Sequence, residues 1–99
     1  MIKKENFTVT KNLNMQTSHG IIPGSQQNGV LLDVSLEVDP SKQYGWFEFY
    51  DEETGGDRWY ASGGIWFKGT AVTDYDGIFE LPEFIMDKLE DWGYDLSTL

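Results

Sequence analysis

Cysteine is absent from this chain of 99 residues, and histidine occurs once, as His19. Without thiols the chain can form neither disulfides nor thiolate metal sites. No apolar run approaches the roughly 20 residues that a membrane-spanning helix needs. The lysines near the start are not followed by the apolar segment of a secretory signal. These absences predict a soluble, cytoplasmic protein.

Basic residues are also scarce. The chain has 7 lysines and arginines against 17 aspartates and glutamates, which gives a net charge of −10. Residues 1–28 carry a net charge of +2, so residues 29–99 carry −12. Such a surface repels nucleic acids and anionic membranes and attracts basic proteins. We therefore expect no direct binding to nucleic acid or to membranes.

Aromatic residues are abundant, since 4 Trp, 5 Tyr and 6 Phe supply the apolar area for one core. Residues 29–39 alternate, with Leu32 and Val34 on one side and Asp33 and Ser35 on the other, as in a half-buried strand. The polar stretch 12–28 predicts a loop or a flexible arm. Further strands are predicted at residues 6–11 (an edge strand), 46–50 (a central strand), 57–61 and 65–67 (with a bulge or bend at Gly63 and Gly64), 70–73 and 78–80.

The last part of the chain predicts a helix. Pro82 suits a first helical position and Gly93 a C-terminal stop. Leu81, Ile85 and Leu89, followed by Trp92, form the apolar stripe of an amphipathic helix.

The predicted fold is therefore α+β: an antiparallel meander of about four to six short strands with one C-terminal helix packed on one face. Residues 1–28 are expected to form the edge strand and the flexible polar arm. Residues 29–99 are expected to form the acidic globular domain.

Catalysis has little support in the sequence. His19 lies in the polar arm without a local partner, and no serine stands in a Gly-x-Ser-x-Gly turn. Pairs of carboxylates could serve a glycosidase, but a chain this acidic places some pair at a suitable distance by chance. We predict that the protein is not an enzyme and needs no cofactor.

Metal and sugar binding are the remaining small-ligand alternatives. Asp74, Asp76, Gly77 and Glu83 match four positions of an EF-hand loop, but Val72 stands where its first acid is needed, so a solvated hairpin turn is the competing interpretation. The acids of residues 51–57 could also bind a calcium ion, and a solvated turn is again the competing interpretation. Aromatic residues of the predicted strands could stack on sugars or form the core, and any that reach the surface could anchor a partner: Trp46, Tyr50, Trp59, Tyr60 and Trp66.

Acidic residues of the predicted helix run against the helix dipole. Glu83 suits the N-terminal end, but Glu90 and Asp91 lie at the negative end, where each costs about 0.3–1 kcal/mol. Stability alone does not select this arrangement. A partner that needs a negative surface would select it, and so would a requirement for solubility.

Three segments resemble uncharacterised small proteins encoded by phages and other mobile elements: GWFEFY at 45–50, GIWFKG at 64–69 and DYDGIFELP at 74–82. In size and acidity the chain is similar to anti-CRISPR proteins and other phage-borne inhibitors, several of which act as nucleic-acid mimics. The resemblance implies a protein of the host bacterial cytosol.

The sequence thus favours a phage-type inhibitor, a monomer or weak homodimer that blocks the nucleic-acid-binding surface of a basic bacterial protein. The alternative is a small phage structural or assembly protein, in which the aromatic strands would mediate self-association. The residues expected to bind the partner are all acidic and are expected to share one surface: Asp51, Glu52, Glu53, Asp57, Asp74, Asp76, Glu83, Asp87, Glu90 and Asp91.

Overall fold

The protein consists of β-strands followed by an α-helix near the C-terminal end. A computed structural model describes residues 2–11, 13–24, 30–51 and 59–99. A 3-10 turn (Pro40–Lys42) joins the fourth and fifth strands. The other elements are β1 (Lys3–Lys11), β2 (Met15–Thr17), β3 (Gly20–Ile22), β4 (Val30–Asp39), β5 (Tyr44–Asp51), β6 (Trp59–Lys68), β7 (Ala71–Tyr75) and α1 (Glu83–Asp91).

The main sheet has five antiparallel strands in the order β1-β4-β5-β6-β7. The α+β class is confirmed, and so is the central position of β5. The predicted alternation of buried and less buried side chains in β4 is confirmed. The side chains of Leu32, Val34, Leu36 and Val38 are buried, while the residues between them are only half-buried.

Helix α1 packs on the face of the sheet to which these buried side chains point. Leu81, Ile85 and Leu89 are buried in the same cluster, and the ring of Phe84 meets those of Phe7 and Phe49 at centroid distances of 6.4 and 5.9 Å. Pro82 is the N-cap and not the first helical residue. Gly93, with φ of 91°, follows the helix as expected of a stop.

The prediction of a loop or arm at residues 12–28 is wrong for residues 15–22. Strands β2 and β3 form a hairpin there, and Ile22 is buried in the core. The Lys11 ammonium fastens the hairpin by donating to the carbonyl oxygens of Leu13 and, at 2.9 Å, Ile22. The two strands have three residues each, too few for a periodic pattern to show in the sequence.

Two further predictions about strands fail. Residues 78–80 form no strand, and only Ile78 makes an isolated bridge, to Thr17. Gly63 and Gly64 lie in regular pairing, whereas the irregularities fall at Phe49–Tyr50 and Trp66–Phe67. Gly63 instead allows neighbouring groups to approach its Cα closely. A Cβ on Gly63 would lie 2.1 Å from the Asp76 carbonyl oxygen and 2.6 Å from the Phe47 ring.

The outer side of β7 is paired with the segment that follows α1. The amide of Val72 donates to the Asp95 carbonyl at 2.8 Å, and the amide of Asp95 donates to the Thr70 carbonyl at 2.8 Å. The hydroxyl of Thr98 also donates to the Val72 carbonyl. No helix among the described residues has the length and apolar character that a membrane crossing requires.

Candidate partner-binding surface

One face of the main sheet, here called the open face, is not covered by any described helix or strand. Because α1 and the core lie on one side, the residues between the buried positions of each strand point to the other side. The register aligns these residues in rows across the strands. The open face includes Lys4, Asn6, Thr8, Asp33, Ser35, Glu37, Tyr44, Trp46, Glu48, Tyr50, Ser62, Gly64, Trp66 and Asp74.

Aromatic rings form one end of the open face. The Tyr44 ring stacks beside Trp46 at a centroid distance of 6.1 Å and meets Trp66 edge-on at 5.3 Å. Gly64 makes room for this group, since a Cβ there would approach the Tyr44 hydroxyl to 2.8 Å and the Trp66 ring to 3.0 Å. Trp66 remains 38% exposed. The prediction that some strand tryptophans reach the surface is therefore confirmed.

Carboxylates surround the centre of the open face. Glu48 pairs across the strands with Ser35, so it lies diagonally between Asp33 and Glu37 of β4, at about 7–8 Å from each. The Tyr50 hydroxyl donates to Glu48, and this hydrogen bond is the main cause of the raised pKa of Tyr50. Thr8 donates to Asp33 at 3.0 Å.

His19 lies at the margin of this face, where its contact is with a residue distant in sequence. The turn between β2 and β3 places its ring 4.8 Å from that of Trp59. The Ser18 amide, next to it, donates to the Gly77 carbonyl at 3.1 Å and fixes the turn against the main sheet. His19 then lines a hollow of about 430 Å³ together with Tyr44, Trp46, Glu48 and Asp76.

The acidic residues expected to bind a partner fall on two sides of the molecule in the described part of the chain. Asp74 lies on the open face, opposite Trp66 in the register, and Asp76 accepts a hydrogen bond from the Gly64 amide at 2.6 Å. The helix acids Glu83, Asp87, Glu90 and Asp91 are exposed on α1, on the other side of the sheet. The expectation of one shared surface is therefore wrong for these six residues.

The structure describes no side chain for the other four acidic residues that were expected to bind a partner. Asp51 ends β5, where its backbone pairs with Leu32. Glu52, Glu53 and Asp57 lie outside the described residues, as does the alternative calcium loop built on them. Lys88, the basic residue of α1, contacts Glu5 and lies 5.2 Å from the Phe7 ring centroid.

Sequence reasoning missed Asp33, Glu37, Tyr44 and Glu48 as site residues. The signal was present in the alternation of β4 and β5, which separates a buried side from a polar and aromatic side. What the pattern lacked was the sheet order, which brings the two polar sides together. Sequence distance hid the contribution of His19 in the same way.

Metal-binding geometry does not arise in the part of the chain that the structure describes, where no three His, Asp or Glu side chains converge as ligands. The carboxylates of the possible EF-hand loop bond to the backbone: Asp74 accepts from the Tyr75 amide at 2.8 Å, and Asp76 from Gly64.

A second uncovered surface lies between β2 and the start of α1. It is an apolar groove of about 870 Å³, lined in part by Leu13, Met15, Phe79, Phe84 and Met86. Leu13 is 80% exposed and Phe79 is 69% exposed. Exposed apolar side chains of this size, gathered around a groove, are typical of contact surfaces.

The chain matches no protein-family model, and comparison with curated proteins and with solved structures gives no significant match. Function is therefore inferred from the geometry of these surfaces.

Proposed function

We propose that this protein is a phage-type inhibitor that binds a basic bacterial protein and blocks its nucleic-acid-binding surface. The observation that carries the proposal is the open face, where aromatic rings and carboxylates lie together with no described element packed over them. Aromatic anchors supply short-range affinity in protein interfaces, and complementary charge supplies orientation and rapid association.

Repulsion within the open face favours a cationic partner. Glu48 carries a like charge at a diagonal spacing of about 7–8 Å from each of Asp33 and Glu37, which is within the screening length of about 8 Å at physiological salt. Among the described residues of this face, Lys4 is the cation, and it is paired in register with Glu37. A docked basic side chain relieves the remaining repulsion, so binding is coupled to the charge of the partner.

The helix acids have a different role in this proposal. Glu83, Asp87, Glu90 and Asp91 face away from the open face, so they cannot contact the same flat surface of a partner. They add to the long-range negative potential that steers a basic protein toward the molecule. Their removal should slow association more than it speeds dissociation.

Matched charge variants test this division. One variant carries Asp33→Asn, Glu37→Gln and Glu48→Gln on the open face, and the other carries Glu83→Gln, Asp87→Asn and Glu90→Gln on α1. Each removes three charges while keeping side-chain shape. Partners are captured from bacterial lysate at low salt, identified, and tested for competition by a DNA or RNA duplex.

We expect capture to be lost near 0.5 M salt, to be weakened about tenfold or more by the open-face variant, and to be competed by nucleic acid. Steep salt dependence follows from the screening of exposed charges. Capture that ignores salt, or that the two variants weaken equally, contradicts the proposal. A partner that binds no nucleic acid contradicts the inhibitory mechanism.

The second candidate is a small phage structural or assembly protein. The observation that favours it is the apolar groove with the exposed side chains of Leu13 and Phe79. Sedimentation velocity of the full chain at tens of micromolar separates the candidates. Self-association that is abolished by Phe79→Ser supports assembly, whereas a stable monomer supports the inhibitor.

A further inference from the structure

The hollow at the margin of the open face is lined by both aromatic and acidic residues. Tyr44 and Trp46 contribute aromatic rings, and Glu48 and Asp76 contribute carboxylates. His19 closes the side next to β2. A ligand in this hollow of about 430 Å³ therefore contacts aromatic rings and carboxylates together.

We propose that this hollow binds the guanidinium group of an arginine side chain presented by the partner. The inference rests on the proposed function, because the arginine belongs to the protein that the open face captures. It names the chemistry by which that partner is recognised and the residues that recognise it.

Each of the two carboxylates is held by one hydrogen bond through one oxygen, and its other oxygen is available to a ligand. Asp76 accepts the Gly64 amide through Oδ1 at 2.6 Å, and Glu48 accepts the Tyr50 hydroxyl through Oε2. Neither Oδ2 of Asp76 nor Oε1 of Glu48 has a hydrogen bond within the described part of the chain. Since the side chains are already held in place, little conformational entropy is lost when they accept bonds from a ligand.

The combination of aromatic rings and carboxylates in the lining selects guanidinium over other groups. A planar, weakly hydrated cation stacks on Trp and Tyr faces while its N–H groups reach carboxylates in the ring plane. The ammonium of lysine is compact and strongly hydrated, so it gains the charge attraction without the stacking. Phosphates and other anions are repelled by Glu48 and Asp76. Charge and shape thus both favour arginine.

Synthetic peptides supply the probe. Three nonapeptides of the same length are titrated into the full chain by calorimetry: one of arginine, one of lysine, and one of citrulline, the neutral shape analogue of arginine. We expect the arginine peptide to bind about five- to tenfold more tightly than the lysine peptide, and the citrulline peptide to bind more weakly than either.

Substitutions test which residues produce the selectivity for arginine over lysine. Glu48→Gln with Asp76→Asn removes both charges but keeps the oxygens that accept from Tyr50 and Gly64, so the fold is retained. This double variant, and Trp46→Leu separately, should reduce the arginine-to-lysine ratio to about one. Glu83→Gln with Asp87→Asn on α1 removes two charges elsewhere and should leave the ratio unchanged. Circular dichroism verifies that each variant is folded.

Equal affinity for the arginine and lysine peptides overturns the inference, as does no measurable binding of any peptide. A ratio that falls equally in the Glu48/Asp76 variant and in the Glu83/Asp87 variant also overturns it. These failures differ from a failure of the proposed function. Capture of a basic nucleic-acid-binding protein without arginine selectivity refutes the hollow alone, while arginine selectivity without such a bacterial partner refutes the inhibitor alone.

Discussion

Two adjacent glycines of β6 offer a direct test of the packing described above, because the same added methyl group meets different neighbours. A Cβ on Gly63 would lie 2.1 Å from the Asp76 carbonyl oxygen and 2.6 Å from the buried Phe47 ring. A Cβ on Gly64 would meet side-chain ends instead, the Tyr44 hydroxyl at 2.8 Å and the Trp66 ring at 3.0 Å. Gly63→Ala must therefore displace backbone, whereas Gly64→Ala displaces rings that can turn toward solvent.

The expected magnitudes follow from that difference. Overpacking a filled site costs about 1–3 kcal/mol and occasionally more, and Gly63→Ala belongs at the upper end because a backbone carbonyl must shift. Gly64→Ala gains about 0.5–1 kcal/mol from the lower entropy of the unfolded chain, which offsets most of its cost. At about 4–8 °C per kcal/mol for a domain of this size, Gly63→Ala should lower Tm by roughly 12–24 °C. Gly64→Ala should change it by less than roughly 5 °C.

Urea unfolding followed by tryptophan fluorescence and by far-ultraviolet circular dichroism measures both variants. Coincident transitions with an unchanged m value establish that stability alone has changed. If Gly63→Ala unfolds within about 0.5 kcal/mol of the parent chain, the close approach of residues 76–77 to β6 is wrong. Equal destabilisation by the two substitutions would refute the distinction between backbone and movable rings.

Other perturbations test the helix, the open face and the core. Glu90→Lys, at the negative end of the α1 dipole, should raise the free energy of unfolding by about 0.3–1 kcal/mol. Glu83→Lys, at the positive end, should lower the free energy of unfolding. Chemical denaturation at low salt measures both variants, and equal effects would contradict the dipole argument. The Glu48 hydrogen bond raises the pKa of Tyr50, so its contribution to stability is full below the unfolded pKa of about 10 and is lost as pH rises through the folded value. Glu48→Gln should bring the pKa of Tyr50 closer to its ordinary value in a spectrophotometric titration, and an unchanged pKa would refute the assignment. Leu89→Ala, at a fully buried position, should cost about 2–5 kcal/mol in urea unfolding, and a loss below 1 kcal/mol would place Leu89 outside the core.

Local patterns predicted the elements whose information lies within a few residues. The alternation of Leu32, Val34 and Leu36 predicted β4, and the stripe of Leu81, Ile85 and Leu89 predicted the helix and its buried side. The periods of 2 and 3.6 residues appear in such segments because one side of each is buried. The β2–β3 hairpin left no comparable signal, since its strands have only three residues each, and its bridge to the rest of the fold joins Thr17 to the distant Ile78.

The surface was harder to predict than the fold. Carboxylates such as Glu83 and Asp87 stood out because they cluster along the sequence, yet clustering along the sequence did not place them with Asp74. The open face depends on which strands become neighbours, and the pairing of Ser35 with Glu48 or of Tyr44 with Trp66 is a property of the sheet order. Strand order is set by contacts across the whole core and not by any single segment.

The pairing of β7 with the segment after α1 has a practical consequence for handling the protein. The backbone groups of Val72, Thr70 and Asp95 are already occupied within one molecule, so this margin cannot recruit a strand from a neighbour. A chain shortened before residue 94 would expose those groups as a template. We expect it to aggregate at concentrations where the unshortened chain stays dispersed, so that expression tags are best kept away from residues 94–99.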